Sequence, residues 1–462
     1  MQKDILIINE HSNVAICTLW TQKEKVLEKI DEETKNKISI IGTLYTSFGI
    51  NYMLETLGEF NNINTIIIFG NDLSDSGDEL IKVFSGNLEK LRVNKESARK
   101  IVSSIKLIDL RNEAKKENFS KLLEAINKNF KKGKKREKVR IKIEESKIAS
   151  WPEELIGQRI FETSVFRAWI KILKFIYDFG FLKQTEYGEI QKEVLNLLVN
   201  IRLNGKYEIE KGFERYFPRK IFEKHIKETL CSAKPKGVEY TYGERLFKHE
   251  HAKNQVDFII EKLSKKPYSR RAIAITWLHE KDMKSSLPPC IIAVQGTISG
   301  NEYHHFVFIR SNDMARAWPI NIIGQIKLAE YIVKKINEKA NTNYKLGSIS
   351  SLSFSAHIYE HDFPFVERVI KENKNLLSLF VQDMLGNFLI FEEGKNIKVQ
   401  LRTWDNSRLA REWKFSSFRE AYKGLKEIVN FLDSQHAFYL GKEIRRAFEK
   451  VEKGERYVQD KG

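Results

Sequence analysis

Cysteine is scarce in this sequence of 462 residues: Cys17, Cys231 and Cys290 are all it has. Three thiols so widely spaced cannot build a disulfide framework or a zinc cluster, so a functional cysteine would work alone. Only 8 prolines occur, and no stretch approaches the roughly 18 uninterrupted apolar residues of a bilayer span. No membrane association is expected. The opening MQKDILIINE lacks the basic-then-apolar order of a secretory signal, which predicts a cytoplasmic location. There is no G-x-G-x-x-G and no glycine-rich loop ending in Lys-Ser/Thr, and Gly70 after an apolar run is a weak hint of a phosphate turn. Acidic residues fall short of basic ones, 62 against 79, giving a net charge of +17.

What is present describes a globular protein, with 42% hydrophobic and 11% aromatic residues. At about 100–200 residues per domain the length predicts two to four domains. The charge is uneven. Residues 1–130 carry 18 basic and 19 acidic groups, and residues 131–142, KKGKKREKVRIK, carry 8 basic groups and one acid, which leaves +11 for residues 143–462. With almost no apolar side chain before Val139, that tract predicts a solvated linker, with a nucleic-acid arm as the alternative.

Upstream of it, residues 5–8, 14–19, 38–41 and 66–69 have the pattern of buried strands, and 23–37 and 50–60 that of helices. The alternation predicts a Rossmann-like parallel sheet with crossover helices. The segments NVAICTLW, IGTLYTSFGI and TIIIFGNDLSDSGDEL resemble the corrinoid-binding domain of the tetrahydromethanopterin methyltransferase A subunit. Ser76 and Gly77 stand where that family has its cobalt-ligating His, so a scaffold or dimerisation domain is expected.

The chemistry concentrates at SLPPCIIAVQGTISGNEYHHFVFIRSND. Pro288 and Pro289 exclude a helix before Cys290, and two β-rich runs flank Gly300, which predicts an antiparallel hairpin. A turn centred on Gly300 puts Cys290 opposite Arg310, where a guanidinium favours the nucleophilic thiolate. Ser311 and Asp313 follow at the strand end. A helix then opens at Ala317-Trp318-Pro319 with Asn321 in its first turn. The Asn321 amide can donate to one edge atom and accept from its neighbour, which suits a uracil-like imide. Arg270 and Arg271 form a paired cationic site suited to a phosphate. His249, Glu250 and His251, on a polar segment, read as surface groups and not as metal ligands.

In order along the chain, YTYGERL (240–246), SRRAIAITW (269–277), PPC (288–290), RSND with AWPIN (310–321) and SAHIYEHD (355–362) resemble thymidylate synthase. The resemblance implies an α/β and α+β multidomain protein. A Rossmann-like domain at 1–130 and a basic linker at 131–142 would precede a synthase domain at 143–385, whose mixed sheet is flanked by helices. A small C-terminal module at 386–462 would follow. It implies Cys290 as nucleophile, with Arg270, Arg271, Arg310 and Ser311 on the nucleotide phosphate and Asn321 reading the pyrimidine. His357 and Tyr359 would bind the sugar hydroxyl, and Tyr242 would lie near the water that takes a proton. Asp313 and Trp277 would face the pterin. The co-substrate would be 5,10-methylenetetrahydrofolate or 5,10-methylenetetrahydromethanopterin, with no metal, and dUMP would be methylated to dTMP in a homodimer whose Arg270 and Arg271 serve the neighbouring site.

The sequence departs from that family in two places. The family's catalytic Glu has no clear counterpart between Phe213 and Tyr240, with Glu223 and Glu228 as candidates. In place of a short tail closing the site, the chain continues into HAFYLGKEIRRAFEKVEKGERYVQD, which is similar to an uncharacterised module found with such synthases. Pyrimidine hydroxymethylation by the same first half-reaction and a nonenzymatic, nucleic-acid-binding descendant remain as alternatives. Asn321 argues against cytosine, and the positive charge suits a nucleotide dianion and a glutamate-tailed pterin without nucleic acid.

Overall fold

The computed structural model describes residues 4–73, 75–131, 135–143, 151–186, 188–235 and 238–461. Contacts divide the chain into two compact units, Met1–Asn373 and Lys374–Gly462. Among the described residues no helix is long and apolar enough to cross a membrane.

The first unit contains two sheets. The N-terminal one consists, among the described residues, of β1 (Ile5–Ile7), β2 (Val14–Cys17), β3 (Ile40–Gly42), β4 (Thr65–Ile68) and β5 (Lys106–Asp109), in the order β1-β3-β2-β4-β5. The last four strands are parallel and β1 joins β3 antiparallel at the edge. Residues 8–13, which join β1 to β2, are too few for a crossover, so β1 runs opposite to β2 and therefore to β3, its partner, and departs from the all-parallel expectation. Ile66 and Ile68 enter one apolar cluster while Ile67 and Phe69 enter another, so both faces of β4 are covered. The helix expected over 23–37 is two short ones, Lys23–Leu27 and Glu32–Lys35. Asp31 restarts the second by accepting the Thr34 N–H at 2.9 Å.

Two features of this domain have packing explanations. A Cβ on Gly70 would fall 1.9 Å from the Thr18 carbonyl oxygen, so glycine there permits a close approach of two main chains and no phosphate turn is needed to explain it. Ser76 donates to the Leu44 carbonyl at 2.8 Å, and a Cβ on Gly77 would meet the Asp72 carboxylate at 2.5 Å. Asp72 pairs with Arg111 at 2.8 Å. The residues at the resembled cobalt-ligand position therefore do not fit a corrinoid.

Of the solvated linker expected at 131–142, residues 132–134 lie outside the described residues, and residues 135–142 pack on the N-terminal domain instead. Arg136 donates to the carbonyls of Ile63 at 2.6 Å and Leu57 at 2.7 Å. Ile141 joins the N-terminal core, and Ile143 bridges to Val93. Three apolar residues spaced two apart, Val139, Ile141 and Ile143, supply the inward face that the surrounding lysines conceal.

The larger sheet comprises β6 (Arg159–Glu162), β7 (Phe181–Gln184), β8 (Ile190–Arg202), β9 (Ile273–Ile275), β10 (Ile291–Ser299), β11 (Glu302–Asp313) and β12 (Lys345–Tyr359). Its order is β6-β8-β12-β11-β10-β9, with β7 on β8. The helix Ala317–Ala340 makes the crossover that lets β11 and β12 run parallel. Trp169 and Trp318 are fully buried on the helix side. On the other side, Phe308 lies beside Leu352, and Phe354 is 50% exposed.

In the second unit, β13 (Asn387–Glu393), β14 (Asn396–Arg402) and β15 (Leu409–Phe415) form an antiparallel sheet. Helices Phe418–Val429 and Ser434–Glu452 share a core with it that includes Ile390, Val399, Leu425 and Ile444. Its contacts begin at Lys374, ahead of the strand that opens near the expected boundary at 386.

Arg136→Ala removes charged hydrogen bonds to main-chain carbonyls and should destabilise the protein by about 2 kcal/mol. Equilibrium urea unfolding followed by fluorescence checks this, and an unchanged midpoint would refute the packing assigned to this tract.

Candidate active site

Cys290 immediately precedes β10, and the Arg310 N–H donates to its carbonyl at 2.9 Å, so the two residues do face each other across the hairpin. They meet by a compensation. Ser299 faces Glu302 across a two-residue turn at Gly300 and Asn301, one step off a turn centred on Gly300, and a register shift between Ile291 and Ala293 restores the pairing. The Arg310 guanidinium reaches back to the loop before Cys290. Its Nε donates to the Pro289 carbonyl at 3.0 Å and its Nη2 to that of Pro288 at 2.9 Å. Two successive carbonyls of the Pro-Pro-Cys turn thus present acceptors on one side, and the guanidinium takes both. Its carbon stands 6.0 Å from the centre of the Trp277 ring.

Burial pushes the Cys290 thiol up, the positive Arg310 pulls it down, and Asp313 adds to the rise. Desolvation outweighs the cation. The expected thiolate is therefore not the resting form, because the lost hydration costs the sulfur more than the Arg310 charge returns.

Tyr242 starts a short helix, Tyr242–Phe247, capped by the Thr241 hydroxyl, and its own hydroxyl accepts the Ile291 N–H at 3.4 Å. The sequence reading passed over Tyr240. Its ring lies 5.7 Å from that of Tyr242, its hydroxyl meets the Cys290 main chain, and burial and then Cys290 raise its pKa. The spacing Y-x-Y was the available signal: two residues apart in an extended segment, both side chains point the same way.

At the far end of β11 and β12, Ser311 is level with Ser355 and Asp313 with His357. The Asp313 carboxylate accepts the N–H groups of Ala315 at 2.8 Å and Arg316 at 3.1 Å, ordering the turn into the helix that carries Asn321. Burial and then the neighbouring Asp362 raise Asp313 to about 6. Burial lowers His357 to about 4. Its Nδ1 is 3.1 Å from the Ser355 hydroxyl, which donates to Glu193 at 2.5 Å. Tyr359 packs edge-on to His357 at 4.8 Å and stacks on His361. Asn321 is almost wholly buried in the first turn of its helix.

Two sets of expected residues lie elsewhere. Arg270 and Arg271 are exposed on the segment before β9 and are not brought to Cys290 within the chain. Glu223 is exposed and pairs with Arg219 at 3.2 Å, while Glu228 faces Lys224 at 3.8 Å. The helix Arg219–Thr229 turns Phe222, His225 and Thr229 inward. Glu223 is one position past Phe222, about 100° round the helix, and so cannot share that face.

The N-terminal domain reaches this region. A cavity of about 440 Å³ is lined by Ala15, Cys17 and Met53 on one side and by Ser285, Pro288 and Arg310 on the other. The Tyr52 hydroxyl donates to the Gly188 carbonyl at 2.6 Å, and Arg92 pairs at 3.0 Å with the buried Glu360, next to Tyr359. Beyond Glu360, the His361 Nδ1 is 2.5 Å from the wholly buried Glu189. Burial opposes the imidazolium, but Glu189 prevails and pushes His361 up to about 9.

A histidine raised in the folded state stabilises fully below its unfolded pKa of about 6.5, and the contribution fades as pH rises through about 9. Unfolding free energy should therefore fall by on the order of 3 kcal/mol between pH 6.5 and 9.5, and His361→Gln should flatten that limb. An identical slope in the variant would show that the pair is not formed.

Comparison with known proteins follows from this geometry. A family model described as thymidylate synthase matches residues 216–392, and one described as PterinBD-DUF4346 matches 382–460. A protein named "Putative thymidylate synthase" from Methanosarcina barkeri is 32% identical over 216 residues, covering 47% of this chain and 96% of that protein. Proteins of the same name from Methanococcoides burtonii and Methanocaldococcus jannaschii are 33% identical over 216 residues and 35% over 219, covering 96% and 94% of their lengths and 47% and 45% of this chain. With relatives matched almost end to end at 32–35% identity, the chain belongs to the thymidylate synthase family.

Proposed function

We propose that this protein converts dUMP to dTMP, taking the carbon and the hydride from a methylene-tetrahydropterin. The observation that carries the reading is the pairing of Cys290 with Arg310, whose guanidinium also holds the prolines before the thiol. Cys290 sulfur bonds to C6 of the pyrimidine while the C5–C6 π pair moves toward C5 and O4, making C5 nucleophilic. C5 then bonds to the one-carbon unit; loss of the C5 proton and cleavage of the carbon–nitrogen bond, its pair going to the carrier, leave an exocyclic methylene that takes a hydride from the carrier as the sulfur leaves C6. With the resting thiol protonated, the nucleotide phosphate at Arg310 and Ser311 anchors the base against the sulfur, and the thiol proton passes to water as the bond to C6 forms.

Asn321 reads O4 and N3, and His357 with Tyr359 holds the sugar hydroxyl. His357 is neutral at working pH, so it serves as a hydrogen-bond partner and not as an acid. Asp313 and Trp277 would hold the pterin. One Asp313 oxygen is already used by two main-chain N–H groups, and the carboxyl ionises near 6, which suits a partner that donates N–H from a ring. The C-terminal match to PterinBD-DUF4346 supports a pterin as the carrier. Arg270 and Arg271 serve the neighbouring subunit, and the apolar strip of half-buried Phe308 and Leu352 with exposed Phe354 supports a homodimer joined sheet to sheet.

Cys290→Ser should abolish tritium release from C5-labelled dUMP while leaving dUMP affinity within about threefold, since a hydroxyl is a poor adduct former at neutral pH. Full release in the variant would end this reading. Mixing Arg270→Ala with Cys290→Ser subunits should restore part of the activity, because one site of each mixed dimer has both groups intact. No recovery after verified subunit exchange would contradict shared sites.

A further inference from the structure

We propose that His225, together with Thr229, holds the water that takes the proton lost from C5 of the nucleotide. This rests on the reading above, and it fills a gap that neither candidate carboxylate fills. The loss of that proton needs an acceptor beside the base. Tyr240 and Tyr242 hold their protons tightly, since burial raises both, Glu223 is exposed beside Arg219, and Glu228 is paired with Lys224.

His225 is turned the right way. Its ring packs edge-on to Tyr242 at 6.1 Å, and the Tyr242 hydroxyl touches the main chain next to Cys290. Its Nε2 and the Thr229 hydroxyl are both shut off from solvent, and neither has a hydrogen-bond partner among the described residues. Buried polar atoms left unpaired cost folding energy and ask for a partner.

Both atoms converge on Gly324. A Cβ built there would lie 3.0 Å from the Thr229 hydroxyl, 3.1 Å from His225 Nε2 and 2.8 Å from its Cδ2. Glycine is what admits the ring. Gly324 follows Asn321 by three positions on the same helix, so the imidazole approaches the face that presents the base-reading amide. A water held between Nε2 and Thr229 has the two polar partners such a site requires. Burial lowers His225 to about 4, so the imidazole is neutral and accepts from the water without becoming its proton store. In the step itself the C5–H pair forms the exocyclic double bond, and the bond from the new carbon to the carrier nitrogen breaks with its pair going to that nitrogen. The proton passes to the water and on to the nitrogen that leaves.

His225→Phe keeps the ring volume and the packing on Tyr242 but removes the nitrogen. Tritium release from C5-labelled dUMP should fall about 100-fold while KM for dUMP stays within about threefold, and His225→Gln should regain at least a tenth of the parent rate. Gly324→Ala, which displaces the ring without altering its chemistry, should show the same kcat loss. Release within about threefold of the parent in His225→Phe, or a KM that rises in step with the lost rate, would overturn the proposal. A parent protein that releases no tritium with either methylene carrier would instead overturn the nucleotide reading, and the role of His225 with it.

Discussion

The Arg310 guanidinium joins three parts of the site. It extends from β11, faces Cys290 across the hairpin and donates to the carbonyls of Pro288 and Pro289. Among the described residues it has no carboxylate within ion-pair distance. A cation answered only by main-chain dipoles keeps most of its charge for an incoming anion, and the same contacts fix the loop on which the thiol is carried. Cys290 and the guanidinium proposed to take the phosphate are therefore parts of one rigid piece.

The surrounding network has a different character. Asp313, Glu189, Glu360 and Asp362 lie around His361, Arg316 and Arg92 where β11 and β12 end. Burial and then Asp362 raise Asp313, and Glu189, with Asp362 and Asp313 behind it, keeps His361 charged. Arg92 is supplied by the N-terminal domain. That domain was expected to be a scaffold separable from the catalytic part, yet it contributes a cation beside Tyr359 and a wall of the cavity that ends at Arg310. Truncation before residue 143 would leave Glu360 without its cation, so the domain belongs to the site's electrostatics whatever else it does.

Much of this was legible in the sequence where one rule dominates. Two prolines, a turn glycine and alternating β-branched residues specify the hairpin, and the helix opened by Ala317-Trp318-Pro319 places Asn321. Legibility failed where burial competes with charge. The guanidinium beside Cys290 suggested a thiolate, but the cost of desolvating the sulfur is not written in residue types. The tract at 131–142 has a lysine-rich composition, and three alternating apolar residues near its end decide where it goes. Residue type points to Glu223, but helical phase turns Glu223 outward and His225 inward.

The central claim is a covalent bond between Cys290 and the pyrimidine, and a substrate that stalls after forming it tests this directly. Fluorine at C5 cannot depart as a proton does, so 5-fluoro-dUMP with the methylene carrier should arrest the protein as a ternary adduct. Intact-mass measurement should then show a gain equal to nucleotide plus carrier, and peptide mapping should place it on Cys290. No mass gain, or a gain located on Cys17 or Cys231, would contradict the account.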